Sequence, residues 1–252
     1  MEFMNKVAII TGGASGFGLG MVKKFLQEGA YVVIVDINKG AGEKVLEEFN
    51  TPDRRLSFVH ADVAIKKDVA QMIKYTYDKF GKIDILVNNA GHTHWKKPIM
   101  EVSEEEFDRI FDVNVKAIYL AVLEILPIFK KQNGGCIINT SSTAAKRPRP
   151  GLTIYNSSKG AVNTLTKSLA AELAPYNVRV NAVCPVIGKT GLFEAFIGGT
   201  DIPEDGQKYL SSIPLGRIST PEDVANAALF FAKNDSDFLT GITLEVDGGR
   251  CI

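Results

Sequence analysis

The sequence lacks an excess of charge of either sign and contains few cysteines, histidines and tryptophans. Its 252 residues include 29 Lys and Arg and 29 Asp and Glu, so the formal net charge is +0. A neutral chain creates no long-range field toward nucleic acid or an anionic membrane, and we expect neither as a partner. The 3 cysteines are an odd number without metal-ligand spacing. This count predicts reduced thiols in a cytoplasmic protein.

Long hydrophobic runs are also missing. The first apolar run after Lys6 covers only residues 7–10, and no cleavage site follows it, so we expect no signal peptide. No stretch of about 20 apolar residues is available to span a bilayer. We expect residues 1–252 to form one domain, because α/β folds often reach this length as a single unit.

Short β-branched runs alternate with amphipathic segments along the chain. Such an alternation predicts a Rossmann-type α/β fold, a doubly wound parallel sheet with helices on both faces. Ligands of such folds bind beyond the carboxyl ends of the strands. The Gly- and Pro-rich stretch 185–214 is predicted to be a substrate loop or lid. Strands are predicted over 7–11, 31–36, 56–62, 83–88, 137–141, 178–183 and 242–246, and helices over 17–28, 40–50, 66–80 and 155–173, with two more beginning at Ser103 and Thr220.

A glycine-rich turn, residues 11–18, joins the first predicted strand to the first predicted helix. Glycines allow the backbone to approach a pyrophosphate closely, and the N-terminus of the helix offers unpaired N–H groups to it. The alternative interpretation is a plain structural turn. Asp36 ends the second strand, where a carboxylate accepts hydrogen bonds from ribose hydroxyls and repels a 2′-phosphate. This favours NAD over NADP, and the alternative for Asp36 is an exposed loop acid. The nearest cation, Lys39, is predicted to be solvated.

A group of polar residues is predicted near the carboxyl end of the fifth strand. Tyr155 and Lys159 are four residues apart on a helix and therefore share a face. Ser142 lies thirteen residues before Tyr155, just past the fifth strand. Asn114 lies inside a long predicted helix, where asparagine is unfavourable because it competes for backbone hydrogen bonds. We therefore predict a functional kink at Asn114. The pair of Tyr155 and Lys159 on its own is common and usually structural.

Taken together, these motifs resemble the short-chain dehydrogenase/reductase family over nearly the whole chain. The resemblance extends to members that are similar to 3-oxoacyl-carrier-protein reductases, alcohol dehydrogenases, and aryl-aldehyde and 4-formylbenzenesulfonate dehydrogenases. The matching segments are Thr11-Gly12-x-x-x-Gly16-x-Gly18, Asp62-Val63, Asn88-Asn89-Ala90-Gly91, Asn114, Ser142, Tyr155-x-x-x-Lys159, a proline-containing turn with Thr190, Pro214-Leu215-Gly216-Arg217 and Asp247-Gly248-Gly249.

The resemblance implies a role for each matching catalytic residue. Tyr155 is expected to be the general acid/base, and Ser142 to position the substrate oxygen by a hydrogen bond. Lys159 is expected to bind the nicotinamide ribose and to lower the pKa of Tyr155. Asn114 is expected to hold a water that links Lys159 to solvent.

The resemblance also implies a cofactor site. Asp62 and Val63 are expected at the adenine, and Thr190 at the carboxamide or the phosphates. Where the family usually has Pro-Gly, this chain has Pro185-Val186, so the contacts of Ile187 and Gly188 are expected to depart from the family pattern. The other residues expected at the cofactor are Gly12, Ser15, Gly16, Phe17, Gly18, Asp36, Ile37, Asn89, Ala90, Gly91, Tyr155 and Lys159.

The substrate pocket is expected to form from the loops after the fourth and fifth strands and from the stretch 185–214. A basic cluster of Lys146, Arg147 and Arg149 between Ser142 and Tyr155 either meets an anionic substrate or is a solvated loop or subunit contact. No metal site is expected, because the 3 histidines lack a plausible set of partner ligands. Residues expected at the substrate are His92, His94, Trp95, Ser142, Thr143, Ala144 and Tyr155, with Thr153, Gly188 and Phe193 as further candidates.

The predicted function is hydride transfer between NAD(H) and a small ketone, aldehyde or secondary alcohol. One alternative is a 3-oxoacyl-carrier-protein reductase. The resemblance implies that such enzymes usually use NADP, which Asp36 disfavours. Another is a catalytically silent NAD-binding scaffold, which would not be expected to retain Tyr155 and Lys159. The resemblance further implies a homotetramer, assembled through the helices that carry Asn114 and Tyr155 and through the C-terminal strand.

Overall fold

Seven parallel strands form the central sheet of the computed structural model, which describes residues 2–49, 55–199 and 209–252. The strands lie in the order β3-β2-β1-β4-β5-β6-β7. This order confirms the predicted doubly wound α/β fold. The strands are β1 (Val7–Thr11), β2 (Tyr31–Asp36), β3 (Leu56–His60), β4 (Ile85–Asn88), β5 (Gly135–Thr140), β6 (Val178–Pro185) and β7 (Thr243–Val246).

Helices cover both faces of this sheet. The helices α3, α5 and α6 pack on one face, and α1, α2 and α8 pack on the other. Alternate side chains of each strand point to opposite faces, so Ile9 and Ile10 of β1 belong to different halves of the core. The helices are α1 (Gly16–Gln27), α2 (Lys39–Glu48), α3 (Lys66–Phe80), α4 (Glu104–Phe111), α5 (Ala117–Gln132), α6 (Thr153–Leu173), α7 (Phe193–Ile197) and α8 (Pro221–Ala232).

The order of the strands reverses between β1 and β4. The chain runs outward from β1 through β2 to β3, and then returns to place β4 on the other side of β1. At such a switch point the loops that follow adjacent strands diverge and leave a crevice at the carboxyl ends. The candidate site lies in this crevice.

The helix and strand predictions are confirmed, with shifted ends. The predicted helix after Ser103 begins there with a capping box, in which Ser103 Oγ accepts from the Glu106 N–H at 3.3 Å and Glu106 accepts from the Ser103 N–H at 2.9 Å. The stretch 185–214 lies partly outside the described residues; its described part includes α7. Within the described ranges, no helix combines the length and the apolar character needed to cross a membrane.

Candidate active site

The glycine-rich turn brings the N-terminus of α1 to the crevice. Gly12 donates its N–H to the Val35 carbonyl at 2.7 Å, which fixes the start of the turn against β2. A Cβ on Gly18 would lie 2.0 Å from the carbonyl oxygen of Gly12, so only glycine allows the turn to close on the helix. Ser15, the N-cap residue, forms no side-chain cap, and the first turn of α1 contains no acidic residue. This helix end can therefore receive an anion.

Asp36 lies at the end of β2, beside this turn. Its Oδ2 accepts from the Ala14 N–H at 3.0 Å, and its Oδ1 accepts from the Asn38 N–H at 2.9 Å. These bonds hold the carboxylate at the wall of the crevice, where Ile37 lies next to it. Lys39, the nearest cation to Asp36 along the sequence, is exposed. Its Nζ lies 3.7 Å from Glu43 Oε1, so its side chain runs along its own helix.

The loops after β3 and β4 form the next part of the wall. Asp62 Oδ2 accepts from Arg109 Nη1 at 2.9 Å, so that Arg109, on α4, also lines the crevice beside Asp62 and Val63. Asn89, Ala90 and Gly91 follow β4 and line the crevice as well. The sequence contained no signal for Arg109, because its proximity to Asp62 depends on the packing of α4.

A π-helical turn, Asp112–Lys116, interrupts the helix that runs from α4 into α5, and Asn114 lies at its centre. Asn114 Oδ1 accepts from the His92 N–H at 2.8 Å, and its Nδ2 donates to the His92 carbonyl at 3.0 Å and to Ser158 Oγ at 2.9 Å. Turns of this kind occur frequently at functional sites. The kink predicted at Asn114 is therefore present, and it ties the loop after β4 to α6.

Tyr155 and Lys159 lie on one buried face of α6 and line the same cleft as Ser142. Lys159 Nζ donates to the Thr140 carbonyl at 2.7 Å and lies 5.7 Å from the centroid of the Tyr155 ring. Ser142 Oγ accepts from the Ala144 N–H at 3.1 Å, which orients the hydroxyl at the end of β5. A Cβ on Gly91 would lie 3.6 Å from Asn114 Oδ1 and 3.8 Å from Lys159 Nζ, so these two side chains flank Gly91.

Comparison with known proteins shows which family this chain resembles. The model of the family described as enoyl-(acyl carrier protein) reductase matches residues 12–250. The chain is 43% identical over 252 residues to the 4-formylbenzenesulfonate dehydrogenase of Comamonas testosteroni, with 100% of both chains covered.

The chain belongs to the short-chain dehydrogenase/reductase family.

Two further relatives show the breadth of this similarity. The 3alpha-hydroxysteroid dehydrogenase of Mediterraneibacter gnavus is 41% identical over 251 residues, with 98% of each chain covered. A crystal structure of 3-ketoacyl-(acyl-carrier-protein) reductase from Brucella melitensis, complexed with NADH, is 44% identical with a TM-score of 0.91 and covers 99% of each chain. These relatives share the fold but are named for different substrates.

In this short-chain dehydrogenase/reductase, most of the residues predicted for the cofactor and the substrate line one cleft. Gly18 and Ala144 do not line it; Gly18 supports the turn, and Ala144 is buried behind Ser142. The predicted lining residues found in the cleft are Gly12, Ser15, Gly16, Phe17, Asp36, Ile37, Asp62, Val63, Asn89, Ala90, Gly91, His92, Ser142, Thr143, Tyr155, Lys159, Pro185, Gly188 and Thr190.

His94 and Trp95 lie outside the cleft, unlike His92. His94 is buried and its Nδ1 lies 2.7 Å from the Trp95 carbonyl oxygen, while the Trp95 side chain is exposed. His92 and His94, which would share a side of an extended loop, therefore do not both face the cleft. Within the part of the chain that the structure describes, no three His, Cys, Asp or Glu side chains form a group that could hold a metal ion.

The basic cluster is divided by the fold. Lys146 lies 3.1 Å from Glu245, and Arg147 donates to the Arg250 carbonyl at 2.6 Å. Only Arg149 of these three lines the cleft. The stretch 185–214, from which part of the substrate pocket was expected, contributes six further lining residues that were not predicted one by one as substrate contacts: Val186, Ile187, Gly191, Leu192, Phe196 and Tyr209.

Burial controls the titration of the two central groups. It raises the pKa of Tyr155 to about 12, although the Ser142 hydroxyl and the Arg149 guanidinium oppose this rise. It also lowers the pKa of Lys159 to about 8. In the protein alone the pKa of Tyr155 is therefore raised, because the cost of burying the phenolate exceeds the attraction of the nearby Arg149 cation. A lowering of this pKa by Lys159 stays a prediction.

Replacing Lys159 with Met should change the pH dependence of stability. Folding lowers the pKa of Lys159 from 10.5 to about 8, so the cost of charging it in the folded protein is full at pH 7 and disappears as pH rises toward 10.5. We expect the stability of Lys159→Met relative to the unmutated protein to fall by about 2–3 kcal/mol between about pH 7 and pH 10. Urea unfolding of both proteins across this range measures the difference.

The difference between the two proteins at each pH cancels titrations that both share. The cost of unpairing the Thr140 carbonyl in the variant is a constant offset, so it does not affect how this difference changes with pH. Lys146→Met, which removes an exposed lysine that lies beside Glu245, is the matched control. A stability difference for Lys159→Met that does not vary with pH would contradict the pKa shift.

Proposed function

We propose that this protein transfers a hydride between NAD(H) and a small ketone, aldehyde or secondary alcohol. The observation that carries this proposal is the convergence of Ser142, Tyr155 and Lys159 with the glycine-rich turn in one cleft. Ser142 follows β5, Tyr155 and Lys159 lie near the start of α6, and the glycine-rich turn follows β1, so all of them lie at the carboxyl ends of the strands. Nicotinamide absorbance with a panel of ketones, aldehydes and alcohols tests it.

The residues of the cleft fit a dinucleotide. The uncapped N-terminus of α1 suits the pyrophosphate, and Asp36 lies where it would accept the hydroxyls of an adenosine ribose. Gly188 packs closely against the Phe17 ring, since a Cβ there would lie 2.5 Å from that ring, and this contact brings the loop after β6 to the glycine-rich turn. When bound, the nicotinamide supplies or accepts the hydride. The Brucella relative was crystallised with NADH, which supports the same cofactor here.

Tyr155 donates its proton to the carbonyl oxygen of the substrate during reduction. The pKa of about 12 keeps this hydroxyl protonated in the protein alone. Ser142 donates a hydrogen bond to the same oxygen and so stabilises the negative charge that develops on it. Oxidation of an alcohol requires the phenolate, which Arg149, Lys159 and a positively charged oxidised nicotinamide would stabilise.

Lys159 returns the proton to Tyr155. Its pKa of about 8 allows it to hold or release a proton near neutral pH. Asn114 positions this lysine indirectly, because it fixes the loop at His92 and Gly91 against α6. The proposed path of the proton therefore runs from the region of Asn114 through Lys159 to Tyr155.

A second candidate function is the reduction of a 3-oxoacyl group carried on acyl carrier protein. The 44% identical structure from Brucella melitensis favours it. Because that reductase was crystallised with NADH, a preference for NAD would not separate the two candidates. Turnover of a pantetheine thioester without turnover of free ketones would favour the carrier-protein substrate.

We also propose a cytoplasmic location and a homotetramer. The three thiols do not pair with one another, which suits a reducing compartment. Large apolar side chains are exposed on α4 and α5 and near the C-terminus, as at many protein–protein interfaces. They include Phe107, Tyr119, Leu123, Phe238 and Ile252.

Light scattering at micromolar concentration should give the mass of four chains. Leu123→Arg, which places a charge on the exposed face of α5, should reduce that mass because the charge would be buried at the interface. Lys116→Arg, which keeps a positive charge in the π-helical turn just before α5, is the control. A monomer in the unmutated protein would refute the assembly.

Replacing Tyr155 with Phe should remove turnover and preserve NADH binding. The change deletes only the hydroxyl, and the ring keeps its contact with Phe196 at 4.9 Å. Loss of a general acid should reduce kcat by at least about 10²- to 10⁴-fold. Steady-state kinetics and NADH fluorescence measure the two properties.

Tyr31→Phe, in a tyrosine of β2 outside the cleft, is the matched control for this experiment. A normal rate in Tyr155→Phe would refute the mechanism. If NADH binds but no carbonyl or alcohol is turned over by the unmutated protein, a silent NAD-binding scaffold becomes the better account.

The enzyme should prefer NAD(H) over NADP(H) by at least about 10-fold in kcat/KM, because of Asp36. Two like charges about 4 Å apart repel by about 4 kcal/mol at an effective dielectric constant of about 20. Exposure to solvent reduces this to about 1.5–3 kcal/mol, or about 10- to 150-fold. Steady-state kinetics with both cofactors measures the preference.

Two substitutions test whether the cofactor preference comes from the charge of Asp36 or from its structural hydrogen bonds to the glycine-rich turn. Asp36→Asn removes the charge and keeps an acceptor for the Ala14 or Asn38 N–H, so it should narrow the gap without disrupting the turn. Ile37→Arg should reverse the preference by pairing with the 2′-phosphate. Equal or better efficiency with NADPH in the unmutated protein would refute the role of Asp36.

A further inference from the structure

Arg149 is a cation at the substrate end of the cleft. Its Cζ lies 4.9 Å from the centroid of the Phe196 ring and 5.1 Å from that of the Tyr209 ring. Aromatic faces attract a guanidinium but do not neutralise its charge. Among residues 2–49, 55–199 and 209–252, no carboxylate forms a salt bridge with Arg149. The side chain is thus held in place while its charge is uncompensated there.

A second arginine, Arg250, also lies against the Tyr209 ring. Arg250 Cζ is 4.4 Å from the centroid of the Tyr209 ring, and the residue is 7% exposed. Its Nη1 is buried and has no hydrogen-bond partner in the described structure. Burial and the charge of Arg250 both lower the pKa of Arg149. Two cations close together without an anion are unfavourable, and a bound anion would relieve this repulsion.

One aromatic ring separates Arg149 from the proton donor. The ring centroids of Phe196 and Tyr155 lie 4.9 Å apart, and Arg149 Cζ lies 4.9 Å from the same Phe196 centroid, so the Phe196 ring is a neighbour of both the phenol and the guanidinium. Ile187 and Leu192 add apolar surface to this part of the cleft. A substrate whose oxygen reaches Tyr155 and whose other end reaches Arg149 must therefore pass a flat, apolar wall.

We propose that Arg149 binds a carboxylate or sulfonate of the substrate, so that the enzyme selects carbonyl compounds and alcohols in which a flat apolar spacer separates the reacting carbon from an anionic group. This assignment of the substrate class rests on the proposed oxidoreductase function. A planar guanidinium suits it, because two of its N–H groups can donate to both oxygens of such an anion. Arg250 adds positive potential from behind Tyr209 and is a positioning residue.

The competing explanation is that Arg149 is only a structural cation that packs between two rings. A matched pair of substrates separates the two explanations. We choose 4-formylbenzoate and its methyl ester, which share the aldehyde and the flat ring and differ in charge. The unmutated enzyme should use the anion with a kcat/KM at least about 10-fold higher than the neutral ester, as expected for a charge-assisted pair.

Substitutions of Arg149 should reduce this ratio. Arg149→Met keeps an apolar stem and removes the charge, so the ratio should fall to about 1, whereas Arg149→Lys, a point charge without the planar fork, should give an intermediate value. Lys146→Met removes a cation three residues away that lies beside Glu245 and should leave the ratio unchanged. Because any effect of Arg149 on the pKa of Tyr155 acts on both substrates, the ratio is insensitive to it.

Binding measurements keep the test decisive when turnover is absent. Calorimetry on the NADH-loaded protein should show that benzoate binds at least about 10-fold more tightly than benzamide, and that Arg149→Met removes the difference. Turnover of both aldehydes with a ratio near 1 would overturn this inference and leave the oxidoreductase function intact. Benzoate binding that depends on Arg149, without turnover of any substrate, would overturn the function and leave the anion site. A preference for the anion that survives in Arg149→Met would also overturn the inference.

Discussion

A small junction of hydrogen bonds among Thr11, Asn89, Ala90 and Thr140, at the switch point of the sheet, fixes the strand ends that border the cleft. Thr11 Oγ1 accepts from the N–H groups of Asn89 and Ala90 at 2.9 and 3.0 Å, and Asn89 Nδ2 donates to the Thr11 carbonyl at 2.9 Å. Asn89 Oδ1 accepts from Thr140 Oγ1 at 3.3 Å. The ends of β1, β4 and β5 are thereby locked together without a continuing ladder. Because these three strand ends are held side by side, the glycine-rich turn after β1 and the buried face of α6 that carries Tyr155 and Lys159 line the same cleft.

The same region concentrates positive charge in a buried environment. Thr140 links the junction to the chemistry, since its carbonyl accepts from Lys159 Nζ while its hydroxyl bonds Asn89. Burial lowers the pKa of Lys159 and of Arg149 and raises the pKa of Tyr155. Tyr155 is neutral in both the folded and the unfolded protein near pH 7, so its shift costs no folding free energy there. For the buried cations Lys159 and Arg149 the shift reflects a cost of charging in the folded protein, which a bound anion or a developing negative charge would recover. Stability and the proposed activity are therefore in opposition at these residues.

Sequence periodicity predicted the strands and helices well where the backbone bonds a neighbouring strand or turn of helix. It predicted strand ends less well where a side chain takes the place of the neighbouring strand as the hydrogen-bond partner. The ranges of β1, β2 and α3 match the prediction. Ile83 is apolar and buried but lies outside β4, because Gln132 bonds both its N–H and its carbonyl. The third strand stops before Asp62, whose N–H donates to the Asp68 carboxylate instead of a neighbouring strand. Side-chain hydrogen bonds that replace the bonds of a strand ladder in this way leave no periodic signal in the sequence.

The sequence by itself determined the fold class, the glycine-rich turn, the acid at the end of β2 and the shared helical face of Tyr155 and Lys159, because local spacing fixes these features. It left three similar cations between Ser142 and Tyr155 without distinction. Only the tertiary structure decided that Arg149 enters the cleft, while Lys146 lies beside Glu245 and Arg147 bonds the Arg250 carbonyl. The physical reason is that the rings that hold Arg149 belong to the stretch 185–214, which lies far from Arg149 in the sequence and meets it only when the chain has folded.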